Sequence, residues 1–390
     1  MIVPKPEFRP NPDRAIYVQG VIDLSLVQNL TPQIISLQHQ SREPITVYID
    51  SPGGSVYYMF ALLRLLKAST QDFEKSHLIT VATHHAASAA ADLLSAGSYA
   101  LAYPNSRVLF HGGRLAENEL TAERTTILAQ YLRLSNESSA MELAREVEYR
   151  FMFRFISSRG RFSEIRNRES KPQMSDLDCF LDYISQHLSD TARGILEIAQ
   201  ERYGRYDELL ATVYKKTSKL SENKTPLEIE AAQIKAIVDF EVGQNRKTAD
   251  WSFHAGGVNG LVDDFLLFRE YQNISQSDRF INWCSALGSF LVTPEEANEI
   301  KKIPNAGEQA RKWAEKTSPM LQPIWSFFVA LCYTLQRGEN DYLTARDAYW
   351  LGLIDEVIGD ESLLPFRLMQ EDVDEPKEEE AKDKPKSKRK

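Results

Sequence analysis

The first third of the chain alternates short apolar runs with segments of helical periodicity. Four runs have the length of a strand and are rich in β-branched residues, namely AIYVQGVI, ITVYID, LITVAT and RVLFH. Between them, apolar residues recur at helical spacing in LVQNLTPQIISLQ, VYYMFALLRLLK and AASAAADLLSAG. Helices between successive strands imply crossover connections, so residues 15–114 are predicted to form an α/β core with a largely parallel sheet. Residues 1–14 are expected to be an irregular N-terminal lead-in.

The character of the chain changes after residue 114. Residues 115–245 contain little proline and long runs of helical periodicity, among them SAMELAREVEYRFMFRFI and TARGILEIAQERYGRYDELLATVYKK. We therefore predict a long helical insertion here, followed over residues 246–365 by the remainder of the α/β domain and a C-terminal helical region. Residues 371–390 are charged and almost free of apolar side chains, so a disordered tail is predicted.

Composition excludes several classes of protein. The 390 residues are 43% apolar and 26% charged, an ordinary globular balance. The net charge of -9 argues against nucleic acid as a partner, because phosphates repel an acidic surface. The three cysteines lie far apart, which suits a reducing compartment. The N-terminus lacks the apolar core of a signal peptide, and residues 324–335 are too short to span a membrane, so a cytoplasmic protein is expected.

Two segments at predicted strand ends could stabilise an oxyanion. Asp50–Val56 (DSPGGSV) joins a strand to a helix through two glycines, and its bare backbone N–H groups can hold a developing negative charge. A plain tight turn explains the same residues. Ser88 stands among alanines at a helix start, where the next backbone N–H is free to point at the same oxyanion. A capping serine with small neighbours explains this pattern as well.

A third segment, PNSRVLFHGG, places His111 at the end of an apolar strand. Its position, 23 residues after Ser88, corresponds to one helix plus one strand, which returns the chain to the same edge of the sheet. A serine hydroxyl is a weak nucleophile until a hydrogen-bonded histidine takes its proton, and a third group must fix the imidazole tautomer. The spacing is compatible with a serine–histidine pair, although a histidine at such a strand end is more often a satisfied core or edge residue than a base.

The segments YIDSPGGSV, AASAAADLLSAG and YPNSRVLFH, in this order within residues 15–113, resemble the Clp protease proteolytic subunit family. The resemblance implies that Ser88 is the nucleophile and His111 its base. The backbone N–H groups of Gly54 and Ala89 would form the oxyanion hole. It also implies a crotonase-like ββα superhelix, here an α/β fold with a long helical insertion.

The third catalytic residue is ambiguous. In the family it lies five residues before the alanine of a short A-x-n-GLxD ending, and two segments fit in part. Asp250 stands five residues before an alanine, as in the family. The spacing from that alanine to the ending, Gly260–Asp263, is two residues shorter than in the family. The ending Gly352–Asp355 has the family spacing, but there Asn340 holds the acid position and Asp341 follows it. We favour Asp250, because a carboxylate also stabilises the imidazolium that forms. Asn340 and Asp341 remain alternatives. Each of the two aspartates, Asp250 and Asp341, could instead be a solvated loop residue without a catalytic role.

Two features depart from the family. His84 and His85 precede the Ala-Ala-Ser motif, where the family has glycine and one other residue. Adjacent histidines invite a metal hypothesis, but no carboxylate or cysteine has suitable spacing nearby, so we predict a packing role and no metal site. The helical insertion lies where family members form contacts between rings, so the double-ring assembly is in question.

The resemblance implies a cofactor-free serine endopeptidase that hydrolyses peptides or unfolded proteins and forms a homo-oligomer. The chain contains no P-loop, so an ATP-dependent unfoldase would be a separate chain. The alternative is a catalytically weak or inactive scaffold or assembly protein, which the histidines before Ser88 and the ambiguous third residue favour. Acyl-CoA chemistry on the same fold is less favoured, because such enzymes rely on carboxylates in the pocket.

Overall fold

The computed structural model describes residues 9–68, 77–114, 121–168, 174–217, 225–248, 278–338 and 340–363. The predicted tail, residues 371–390, lies outside these ranges, as does Asp250. The strands are β1 (Ala15–Ile22), β2 (Ile45–Gly54), β3 (Leu78–Ala87), β4 (Tyr99–Ala102), β5 (Arg107–Leu109), β6 (Leu343–Thr344) and β7 (Glu356–Val357). The helices are α1 (Leu24–Gln40), α2 (Val56–Leu66), α3 (Ala89–Ser95), α4 (Ala122–Arg168), α5 (Asp176–Ser185), α6 (Asp190–Thr217), α7 (Pro226–Thr248), α8 (Asp278–Leu287), α9 (Pro294–Lys301), α10 (Ala306–Arg337) and α11 (Ala345–Trp350).

The strands form one mixed sheet, and β3 is its centre. The order is β1-β2-β3-β4-β7, and all of these pairs are parallel. The first half of β3 pairs with β4, and its last three residues pair in parallel with β5. Strand β6 then adds to β5 in the antiparallel direction. This mixed α/β architecture confirms the predicted class.

Helices cover the middle of the sheet because β2 and β3 are apolar on both faces. In β2 and β3, Val47, Ile49 and Val81 are fully buried, as expected for parallel strands with a layer on each side. Within the described residues, no helix is both long and apolar enough to cross a bilayer.

The long helix α4 shares the core of the sheet domain. Its Phe151 and Phe155 are fully buried in the same apolar cluster as the residues of β2 and α3. The ring of Phe151 stacks on Phe328 of α10 with centroids 4.7 Å apart. The backbone of Gly352 runs against Phe151 so closely that an added Cβ would lie 2.9 Å from the phenylalanine Cβ. Helix α4 is therefore packed into the core along this part of its length.

Two buried arginines of α4 fix the helix to the sheet. Arg150 forms an ion pair with Asp355, in which Nε lies 2.9 Å from Oδ2 and both side chains are fully buried. The remaining donors of its guanidinium go to the backbone oxygens of Ser95, Gly97 and Leu353. Arg154 donates to the backbone oxygens of Tyr349, Ile354 and Asp355. The aspartate of the GLID ending thus has a structural role.

Candidate active site

Ser88 occupies a strained turn between β3 and α3. Its φ is 56° and its ψ is -131°, and among the described residues it alone has a positive φ without being glycine. Such a conformation costs about 1–3 kcal/mol and persists only where the surroundings impose it. Its backbone N–H donates to the carbonyl of Leu109 at 2.7 Å, which fixes the turn to the end of β5. The turn places the Ser88 side chain at the carboxyl edge of the sheet.

The Ser88 hydroxyl does not cap α3. Although Ser88 is the residue before the first helical turn, its side chain makes no capping hydrogen bond. No hydrogen bond within the described residues engages its Oγ, and the residue is half-buried. The capping explanation offered by the sequence is therefore wrong, and the strained backbone presents a hydroxyl that is not committed to the helix.

The glycine turn at the end of β2 lies directly against Ser88. Gly53 has a φ of 92°, and a Cβ added to it would lie 2.4 Å from Ala87 O and 2.6 Å from Ser88 Cβ. Its N–H donates to Ser51 Oγ at 3.0 Å. Gly54, with a φ of 150°, comes next and is exposed. Only glycine allows this approach, which brings the backbone of the turn beside Ser88 and Ala89.

We expect Gly53→Ala to disrupt this contact. The methyl group has no space, and the positive φ adds about 1–3 kcal/mol of strain, so the free energy of unfolding should fall and the reactivity of Ser88 should drop by about 10²-fold. Gly20→Ala is the matched control, because Gly20 also has a positive φ (74°) but nothing within 4 Å of an added Cβ. Urea unfolding and active-site labelling of both variants measure the difference. Equal effects would show that strain alone matters.

His111 follows β5, in the strand beside the one that ends at Ser88. The register pairs Ala87 with Leu109, so Ser88 and His111 leave the same edge of the sheet one and two residues later. The His111 Nδ1 lies 2.6 Å from the carbonyl oxygen of Gly112. A carbonyl only accepts, so Nδ1 carries the proton and Nε2 keeps its lone pair. This is the tautomer that a general base requires.

The two side chains are not joined by a hydrogen bond. Ser88 Oγ and His111 both belong to the described residues, and neither ring nitrogen bonds to the hydroxyl there. Catalytic hydrogen bonds are often long or misaligned without a substrate. The backbone hydrogen bond from Ser88 N to Leu109 O holds the ends of β3 and β5 next to each other.

Among the described candidates for the third position, Asn340 contacts the segment that carries the base. Strand β6 pairs Leu343 with Val108, which brings the segment before it alongside the end of β5. Asn340 Nδ2 donates to Phe110 O at 2.9 Å and to Leu335 O at 2.8 Å. It makes no hydrogen bond with His111 among the described residues. Asp341 is exposed.

The contacts of Asn340 explain why an amide occupies this position. Its nitrogen bridges two carbonyl oxygens, which a carboxylate could not do because it has no proton to donate when ionised. Its Oδ1 packs against Gly338, where an added Cβ would lie 2.5 Å away. Asn340 therefore ties the strand that carries His111 to the end of α10, and the Gly112 carbonyl takes the place beside Nδ1. Because this carbonyl belongs to the backbone, no residue type along the chain marks it.

A carboxylate one helical turn after Ser88 is engaged elsewhere. Asp92 Oδ1 accepts a hydrogen bond of 2.6 Å from Gln336 Nε2. The carboxylate adjoins a recess lined in part by Met59, Leu63 and Glu142. Burial raises its pKa to about 7, Gln336 opposes the rise, and Glu142 adds to it. Asp92 is thus a pH-sensitive group at the margin of the core.

We expect Asp92 to make stability depend on pH. Its pKa is higher folded than unfolded, so its favourable contribution is complete below about pH 4, the ordinary range of an aspartate, and is lost as the pH rises through about 7. Asp92→Asn keeps an acceptor for Gln336 and removes the charge. The melting temperature of the variant should exceed that of the wild type at pH 8 and approach it at pH 5. Parallel pH profiles would contradict this prediction.

The paired histidines have a carboxylate neighbour, contrary to the expectation from spacing along the chain. Asp50 Oδ1 lies 3.7 Å from His84 Nδ1 and 3.9 Å from His85 Nδ1. Asp50 belongs to β2 and the histidines to β3, so the three meet across a strand pair. Their separation of about thirty residues along the chain hid this cluster.

Comparison with known proteins agrees with the resemblance. The family model described as Clp protease matches residues 9–142. Relatives named ATP-dependent Clp protease proteolytic subunit 1 occur in Thermobifida fusca (strain YX), 33% identical over 154 residues, and in Tropheryma whipplei (strain Twist), 37% identical over 102 residues. The ATP-dependent Clp protease proteolytic subunit of Carsonella ruddii (strain PV) is 34% identical over 101 residues.

These matches cover part of each chain. The match to the Thermobifida fusca protein covers 35% of this chain and 65% of that relative. The match to the Tropheryma whipplei protein covers 25% of this chain and 47% of the relative. The match to the Carsonella ruddii protein covers 25% of this chain and 50% of the relative. The chain therefore spans about half to two thirds of the length of the curated relatives it matches. The matched segment contains the glycine turn, Ser88 and His111. Residues 9–142 of this chain are thus similar to the Clp protease family, which supports a Clp-protease-like assignment for this part of the chain.

Proposed function

We propose that this chain is a serine-type endopeptidase that hydrolyses peptide bonds through an acyl-enzyme on Ser88. The observation that carries the proposal is the backbone of Ser88, which is strained to a φ of 56° while its hydroxyl caps nothing. In this proposal His111 is the base, and the N–H groups of Gly54 and Ala89 receive the oxyanion. The match of residues 9–142 to the family supports these roles.

The proposed reaction has two steps. As Ser88 Oγ attacks the peptide carbonyl carbon, its proton moves to His111 Nε2, and the carbonyl oxygen becomes an oxyanion held by backbone N–H groups. The C–N bond then breaks and the imidazolium gives its proton to the leaving amine. In the second step His111 activates a water molecule that hydrolyses the ester. The Gly112 carbonyl keeps the ring oriented throughout.

The partner of Nδ1 predicts a modest rate. A carboxylate stabilises the developing imidazolium with a full charge, whereas a carbonyl offers only a dipole. Asp250 is still a candidate for this role, but it lies outside the described residues. The proposed substrate is an extended peptide that lies along the sheet edge beside Gly53 and Gly54, with its backbone paired as an added strand.

The assembly is also a proposal. The relatives are named as subunits of ATP-dependent proteases. We accordingly propose a cytoplasmic homo-oligomer with a crotonase-like core, served by a separate ATP-dependent unfoldase. Residues 115–245 would then be an insertion between the catalytic core and the rest of the domain.

A fluorophosphonate probe tests the proposal. The probe should modify the wild-type protein on the peptide that contains Ser88, as mapped by mass spectrometry, and Ser88→Ala should abolish this modification. Ser55→Ala is the matched control, because Ser55 follows the same glycine turn and its side chain also caps nothing. Labelling that persists unchanged in Ser88→Ala would overturn the proposal.

A scaffold function is the second candidate. It is favoured by the absence, within the described residues, of both a Ser88–His111 hydrogen bond and a carboxylate bonded to His111. A scaffold would assemble normally, as measured by light scattering, yet show neither probe labelling nor peptide cleavage. Labelling confined to Ser88 would exclude it.

A further inference from the structure

Asp50, His84 and His85 form a cluster of metal-ligating side chains on the sheet, next to the chain segments that lead to the candidate active site. One potential ligand atom of each residue lies within 4.8 Å of those of the other two. Adjacent residues of a regular strand point to opposite faces, so two successive histidines should not meet. Here their rings lie 3.8 Å apart between centroids, with an interplanar angle of 76°.

An irregularity in β3 brings the histidines together. The register pairs Ile49 with Ala82 and Ser51 with Ala86. Only Asp50 therefore stands between the paired residues of β2, whereas Thr83, His84 and His85 stand between those of β3. A bulge of this kind re-aims side chains, and such bulges are frequent next to active sites. It turns both imidazoles toward the single residue opposite.

The carboxylate of Asp50 is held in place before any ligand binds. Its Oδ1 accepts a hydrogen bond of 3.2 Å from the backbone N–H of His85, a donor within the irregular stretch of β3. Tyr342 packs edge-on against the His85 ring with centroids 5.8 Å apart, which limits the rotation of that ring. Two of the three groups are thus oriented by the protein.

The distances suit a small divalent ion. In a tetrahedral zinc site with bonds of about 2.0–2.1 Å, neighbouring ligand atoms are separated by about 3.3 Å. The separations from Asp50 Oδ1, 3.7 and 3.9 Å, exceed this value by a few tenths of an ångström. The side chains are partly exposed, by 42% for Asp50, 65% for His84 and 38% for His85, so they can adjust and water can reach the site.

We propose that Asp50, His84 and His85 bind one divalent transition-metal ion of the zinc type, with water in the remaining position. Two imidazoles and a carboxylate are a ligand set that zinc uses where a position stays open. A hard cation such as Mg²⁺ would prefer oxygen ligands throughout. The bound ion would tie the strand that leads into the Gly53–Gly54 turn to the strand that leads into Ser88.

Binding is measured directly and does not depend on peptidase activity. Tag-free full-length protein is titrated with Zn²⁺ by calorimetry, and with Co²⁺ while its visible absorption is followed. We expect one ion per chain, a visible Co²⁺ spectrum of tetrahedral or five-coordinate type, and a higher melting temperature in excess Zn²⁺, because the ion binds the folded state.

Three variants identify the ligands. Asp50→Asn retains an oxygen that can accept the hydrogen bond from the His85 N–H, but it loses the negative charge. The variant therefore distinguishes a carboxylate that binds a metal ion from one that only accepts a backbone hydrogen bond in the bulge. It should weaken Zn²⁺ binding by about tenfold or more, as should His84→Ala and His85→Ala. His39→Ala, on the exposed side of α1, should bind as the wild type does. No measurable binding, or undiminished binding by both Asp50→Asn and the double variant His84→Ala/His85→Ala, would overturn the proposal.

Discussion

Replacing His111 with alanine is expected to slow the fluorophosphonate labelling of Ser88 by about 10²–10⁴-fold, the usual contribution of a general base. The reason is that the Ser88 proton then has no acceptor, while the strained turn and the neighbouring N–H groups stay in place. Because the protein is modified only once, the second-order rate constant of labelling is measured under pseudo-first-order conditions. Cleavage of a peptide substrate should fall in parallel.

The control is His39→Ala, which removes an exposed imidazole from the last turn of α1 and should leave the rate unchanged. His111 is half-buried, so its replacement should lower the melting temperature only slightly. An unaltered rate in a folded His111→Ala variant would show that another group activates Ser88.

Arg150→Met is expected to reduce the free energy of unfolding by about 3–5 kcal/mol, the cost of leaving one partner of a buried ion pair unpaired. The Arg150 guanidinium bonds to Asp355 and to three backbone oxygens, and both charged side chains are fully buried. Burial raises the pKa of Asp355 and Arg150 opposes the rise, so the stranded carboxyl would take up a proton more readily. Urea unfolding at pH 7 measures the loss.

Two further variants separate the ion pair from simple packing. Arg145→Met, at an exposed position of the same helix, should change the stability by no more than about 0.5 kcal/mol. The double variant Arg150→Met/Asp355→Asn should regain part of the loss, because the neutral amide no longer needs a counter-charge. If the double variant is as unstable as the two single losses combined, the pair contributes through packing alone.

Much of the sheet could be predicted from local patterns. The run AIYVQGVI coincides with β1, and the predicted strands ITVYID and LITVAT begin where β2 and β3 begin. Strands β2 and β3 were predictable because they are largely apolar and buried, and β1 because buried Ile16 and Val18 alternate with exposed Tyr17 and Gln19. Ser88 and His111 stand at neighbouring strand ends, but α3 and two strands, β4 and β5, separate them along the chain, where one helix and one strand were expected.

The parts that were not predicted depend on contacts between distant segments. The bulge before Ser88 needs the registers on either side of Asp50, which no short window of sequence reveals. The carbonyl beside His111 Nδ1 belongs to the backbone and leaves no residue type to recognise. Asn340 is an alternative third catalytic residue by its sequence position, whereas its contacts are those of a donor to Phe110 and Leu335.

The way α4 enters the core has a consequence for protein engineering. A designer who aims for a minimal peptidase would be tempted to excise the helical segment and join residue 114 to a point near residue 278. The shortened chain would leave Asp355 without its cation and would remove Phe151 from the face of Gly352. The shortened protein should be insoluble when expressed, because α4, although it lies in an insertion along the sequence, forms part of the core that covers the sheet.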